Sequence, residues 1–192
     1  MNKRGNKKKF KDFVDTVKQD PHRYFYIRST LAKLEDEDID ISTQGYLGQT
    51  LLHVALKLND IKLFNLFIKA GVNMNIANEY GDTPLHKAVN EGKIKFVRSL
   101  VANGCDLNVG ASQEQTPLHL AAINGNIEIA KYLVEHGADV VILDEINNLP
   151  IDYAIEEKDE KMIRYFMSKQ ELDQDRRDQI DLILSREGER NV

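Results

Sequence analysis

Three histidines recur at a constant interval. His53, His86 and His119 lie 33 residues apart, each three places after a threonine, at Thr50, Thr83 and Thr116. Imidazole nitrogens can ligate a metal or carry protons, so this is the first chemistry to weigh. A zinc-type centre needs every ligand nitrogen within about 2 Å of one point. Helical units that repeat along a chain stack about 8–10 Å apart, so equivalent histidines on successive units are poorly placed to meet. A structural role is therefore expected, with no metal and no cofactor. His22 and His136 are isolated and carry no assigned role.

The other reactive groups weigh less. Cys105 is the single cysteine, so no internal disulfide can form. It fills the slot held by Val72 one period earlier and Ala138 one period later, and is expected to be a small buried residue. No base is marked for it, so no catalytic thiol is expected. The acidic run Glu35-Asp36-Glu37-Asp38 lacks the alternating ligands and central glycine of a calcium loop. The basic run Lys3–Lys11 reads as a disordered, solubilising tail, or else as a nuclear-import signal or a patch for anionic surfaces. No phosphate-binding glycine loop, nucleophile elbow or kinase motif is present. The expectation is a protein that is not an enzyme.

Composition narrows the class further. A hydrophobic fraction of 42% beside 30% charged residues suits a globular chain with a packed core. A net charge of −5 does not favour nucleic acid as the main partner. No apolar run is long enough to insert in a membrane. The basic N-terminus has no apolar segment after it, so it is not a secretory signal of the usual kind.

The elements that position the histidines repeat with them. Thr83-Pro84-Leu85-His86 returns as Thr116-Pro117-Leu118-His119, with Thr50-Leu51-Leu52-His53 before and the decayed Leu149-Pro150-Ile151-Asp152 after. Ala55, Ala88, Ala121 and Ala154 follow in phase, then Asn59, Gly92, Gly125 and Lys158. Gly71, Gly104 and Gly137 close the first three units. Threonine is a good N-cap and proline suits the first helical position, so each motif starts a helix. Ile94, Val97, Leu100 and Val101 form the apolar stripe of a second helix. The alanines let neighbouring helices approach closely.

This pattern resembles the ankyrin-repeat family, strongly over 45–143 and more weakly to about 167. The resemblance implies an all-α solenoid of stacked helix-turn-helix units with β-hairpin-like tips, about five repeats in all. It also implies that the motif histidines hydrogen-bond between repeats. The units read as 45–77, 78–110, 111–143 and a degenerate 144–176. Residues 1–9 form the tail and 10–44 a degenerate N-terminal capping repeat. Residues 177–192 are a C-terminal capping helix with a frayed end; the other reading is a chain that continues beyond this point.

The function implied is non-catalytic binding of a protein partner through the tips and the concave face of the first helices. Carried onto this chain, those positions include Tyr46, Leu47, Tyr80, Asp82, Lys87, Gln113, Gln115, Ile123, Asn124, Ile146, Tyr153, Glu156 and Glu157. The acidic end of that surface favours a partner segment with Lys or Arg. An adaptor, scaffold or regulator, including a microbial effector, is expected; the alternative is the targeting module of a larger enzyme. The chain is expected to be monomeric alone and cytoplasmic, with a nuclear site if the basic run is an import signal and the host cytosol if it is a secreted effector.

Overall fold

The computed structural model describes residues 3–20, 22, 24–36, 40–42 and 44–188, without the side chains at 3–7, 35 and 186–188. Eleven α-helices and no strand occur among them. They are α1 (Lys3–Gln19), α2 (Tyr24–Asp36), α3 (Leu51–Lys57), α4 (Ile61–Lys69), α5 (Pro84–Asn90), α6 (Ile94–Ala102), α7 (Pro117–Ile123), α8 (Ile127–Glu135), α9 (Pro150–Glu156), α10 (Glu160–Met167) and α11 (Gln174–Gly188). Each pair, from α3–α4 to α9–α10, is one unit. First helices pack on first helices and second on second, so the core is one continuous seam.

Composition dictates this packing. Ala55, Ala88, Ala121 and Ala154 are fully buried where first helices meet, and Phe67, Leu100, Leu133 and Phe166 are fully buried on the second helices. Thr50, Thr83, Thr116 and Leu149 precede the first helices with extended backbone. The second helices are capped by Asp60, Asn126 and Asp159, whose side chains accept N–H groups of the first turn. Lys93 holds that slot in the second unit and cannot accept. Its ammonium instead donates to the Leu56 carbonyl at 2.8 Å and pairs with Glu91.

The tips are closed loops without strand pairing. Gly45, Asn78, Ala111 and Asp144 each donate a backbone N–H to the carbonyl four residues on. The tip position before the cap has positive φ in all four units: Gly48, Gly81, Glu114 and Asn147. At Gly48 a Cβ would come within 2.7 Å of the Glu79 nitrogen, so that position also needs glycine for space.

The ends differ from expectation in two places. The backbone of α1 runs back to Lys3, where a disordered tail to residue 9 was expected. Lysine is a good helix former, and a helix anchored by Phe10, Phe13, Val14 and Val17 propagates through such residues. The C-terminal helix begins at Gln174, inside the segment assigned to the fourth unit. Asp173 accepts the Arg176 N–H at 2.8 Å and so starts it early. Residues 37–38 of the acidic run and 189–192 of the expected frayed end lie outside the described residues.

Asn59, Gly92, Gly125 and Lys158, between the two helices of each unit, all have positive φ. Left-handed backbone costs about 1 kcal/mol or more for a residue with a side chain, and glycine escapes it. Lys158→Gly should raise stability by about 0.5–1 kcal/mol after glycine's extra unfolded freedom is counted. Gly92→Ala should lower it by about 1 kcal/mol. Urea denaturation midpoints check both, and a Lys158→Gly variant less stable than the parent contradicts the argument.

Candidate binding surface

The histidines join unit to unit. In each, Nδ1 accepts the backbone N–H of its own threonine, at 3.2 Å for His53, 3.3 Å for His86 and 3.1 Å for His119. That leaves Nε2 as the donor. It reaches the carbonyls of Asp82 at 3.0 Å, Gln115 at 3.1 Å and Asn148 at 3.1 Å, each in the next tip. All three rings are buried. Among the described residues no group of histidines, cysteines and carboxylates could hold a metal. Burial lowers all three imidazole pKa values, that of His86 to about 4. Cys105 is buried, and desolvation pushes its thiol up to about 12.

The fourth unit has Asp152 in the histidine slot. Its Oδ2 accepts the Leu149 N–H at 2.7 Å, as Nδ1 does in the other units. No further tip follows, and the outward side of the carboxylate meets Arg176 of α11 instead. Nε and Nη2 of Arg176 donate to the two Asp152 oxygens at 2.6 and 2.7 Å, a bidentate pair, and Nη1 donates to Asp173. These bonds raise the Arg176 pKa. Ile180 is fully buried one turn further on. Arg176 was not singled out from the sequence, although an acid at a histidine slot is a signal for a cation beyond it.

A second ladder runs along the opposite loops. Ser42 Oγ accepts the Asn73 N–H, Asn75 Oδ1 that of Asp106, and Asn108 Oδ1 that of Asp139, each at 2.9 Å. Val141 holds the next position and has no acceptor.

The structure divides the residues expected on that surface. Tyr46, Tyr80 and Ile146 project from the tips at 82%, 61% and 64% exposure. Gln113, Asn124, Glu156 and Glu157 are also exposed, while Leu47 and Ile123 are half-buried. Others are tied into the stack. Tyr153 is half-buried edge-on to His119; its hydroxyl donates to Asp144 and accepts from Gln115 Nε2. Burial pushes the Asp144 carboxyl up, but the Tyr153 hydroxyl and the Asn148 and Ile146 N–H groups outweigh it and hold the pKa low. Asp82 and Gln115 supply the carbonyls that the histidines use. Lys87 pairs with Glu91 at 3.2 Å, and Asn124 donates to Asn90 Oδ1 at 3.2 Å.

A stack of helix pairs joined along one buried seam, with a row of exposed tips, defines a helical repeat protein. The family of ankyrin repeats (3 copies) matches residues 25–111 and 109–178. The chain belongs to the ankyrin-repeat family, whose repeats are generally protein–protein interaction modules and typically non-catalytic. No curated protein matches it. Among the described residues no helix is long and apolar enough to cross a membrane.

Two predictions follow from the buried network. The unfolded imidazoles take up protons near pH 6.5, and folded His86 does so only near pH 4. Stability is therefore full above about pH 6.5 and falls as pH drops through that window, by about 3 kcal/mol from His86 alone. Urea midpoints across pH 7 to 4 check this, and a flat profile contradicts it. Arg176→Ala should release α11 and lower the stability of the C-terminal end by about 1.5–3 kcal/mol. Hydrogen exchange should locate the loss in α9–α11 and leave α5–α8 protected.

Proposed function

We propose that the chain is an adaptor or scaffold that binds a protein segment along its tips and inner helix face. The observation that carries this reading is that Tyr46, Tyr80 and Ile146 project from the first, second and fourth tips, exposed and without an internal role. Tyr80 and Ile146 hold the same tip position two repeats apart, with the exposed Gln113 at that position between them, so an extended partner would meet the three in sequence. Exposed Glu79, Glu145, Glu156 and Glu157 flank them. The partner chemistry that fits is therefore apolar anchors with Lys or Arg between them, and a cytosolic setting agrees with a buried, unpaired thiol. Tyr153 supports the surface by fixing the last tip, and is not itself an anchor.

Two variants test this. Tyr80→Ala with Ile146→Ala should weaken capture of the partner about tenfold or more without changing the melting temperature. Glu156→Lys with Glu157→Lys should weaken it less and mainly slow association, an effect that shrinks with added salt. A captured partner retained equally by the wild type and both variants would remove the inner face from the function.

A further inference from the structure

The second helices form the back of the stack, away from the surface described above. Between α2 and α4 lies a cavity of about 600 Å³, and between α4 and α6 one of about 400 Å³. Asn65 and Lys69 of α4 line both, so the two recesses adjoin across that helix as a two-part groove. It is open because α2 packs on α1 and touches α4 only sparsely, whereas α6 is seated on α4.

The charge in this groove has one sign. Arg28, Lys62, Lys69, Lys95 and Arg98 line it, and no carboxylate among the described residues does. Arg98 is partly neutralised by Glu128 at 3.2 Å and lies over Tyr132. The other four are solvent-exposed and make no ion pair among the described residues. Asp60 is turned into the stack, where it accepts from Tyr24 at 2.8 Å and caps α4. Phe25, at the rim, is 88% exposed, the most exposed large apolar side chain among the described residues.

We propose that this back groove binds an acidic, extended segment of a second protein. Its carboxylates lie against Arg28, Lys62, Lys69 and Lys95, and an aromatic or aliphatic residue of the segment packs on Phe25. Four unpaired cations around a recess repel one another, and an anionic chain relieves that repulsion. The recess between helices suits a single chain. A bilayer presents a plane of headgroups, which would meet the ridges and leave the furrow empty. Single-stranded nucleic acid wants several aromatic platforms among the cations, and of the two aromatics lining the groove Tyr24 is tied by its hydroxyl to Asp60, which leaves Phe25. Ser99 donates its hydroxyl to Asn65 Oδ1 in this groove, which leaves the Asn65 amide N–H groups for a peptide carbonyl. The proposal does not rest on the inner-face reading, because the two surfaces are separate and opposite in charge.

The test is fluorescence anisotropy with a fluorescein-labelled octapeptide, Glu-Asp-Phe-Glu-Asp-Leu-Glu-Asp, at low salt and at about 0.15 M salt. The full chain should bind saturably, more weakly at the higher salt. Lys62→Glu with Lys69→Glu should weaken binding about tenfold or more, and Phe25→Ala about threefold. Glu156→Lys with Glu157→Lys, on the inner face, should leave the lysine-dependent binding in place. Both groove variants lie at exposed positions, and circular dichroism melting curves establish that they fold. No saturable binding by the wild type, or equal affinity in the Lys62→Glu, Lys69→Glu variant, overturns the proposal. So does lysine-dependent binding of phosphatidylserine vesicles or of a thymidine oligonucleotide in place of the peptide. Loss of partner capture in Tyr80→Ala, Ile146→Ala with intact octapeptide binding would leave both surfaces standing as independent sites.

Discussion

The interaction on which the stack depends is the hydrogen bond from a buried histidine to the carbonyl of the next tip. It is made three times, at His53, His86 and His119, with the same two partners each time. One nitrogen serves its own helix start and the other serves the neighbour. The ring therefore locks the internal geometry of a unit to the spacing between units. A lysine or glutamine in that slot could reach one partner but could not hold both at a fixed separation. Because the imidazole must stay neutral to accept at Nδ1, the same bond that orders the stack also makes it sensitive to acid.

A repeating bond needs a way to stop. At Asp152 the imidazole is replaced by a carboxylate, which still accepts from its own helix start but has no proton to offer a further tip. The guanidinium of Arg176 supplies donors from the far side and converts the last interface into a helix cap. The loop ladder ends at the close of the preceding unit, at Val141. The N-terminal end uses different chemistry: Tyr24 donates to Asp60, and Ser42 accepts from Asn73 in the place that asparagine takes in later units. Both ends thus satisfy polar groups that a bare repeat would expose.

The sequence showed the interior far better than the ends. The period of 33, the caps and the apolar stripes are local patterns, and each maps onto a helix within a residue or two. The roles of Tyr153, Gln115 and Asp82 were not legible. Position alone placed them on the inner face, but whether a side chain points to a partner or back into the stack depends on neighbours 9 to 38 residues away. The fold of the basic run was missed because composition weighs charge, whereas the apolar residues after it decide the helix. The groove beside Phe25 depends on how α2 sits against α4, and degenerate capping sequence carries little information about that spacing.

The division of labour between faces follows from where the hydrogen bonds go. Each unit directs its strongest polar groups along the stack axis, to the next tip or the next loop, and its apolar stripe inward. Tyr46, Tyr80 and Ile146 on the tips and Lys62, Lys69 and Lys95 on the second helices stay exposed and outside those bonds. They can vary in charge and size from unit to unit without disturbing the stack. That freedom explains how one short solenoid can carry an acidic, aromatic-tipped inner face and a basic groove behind it.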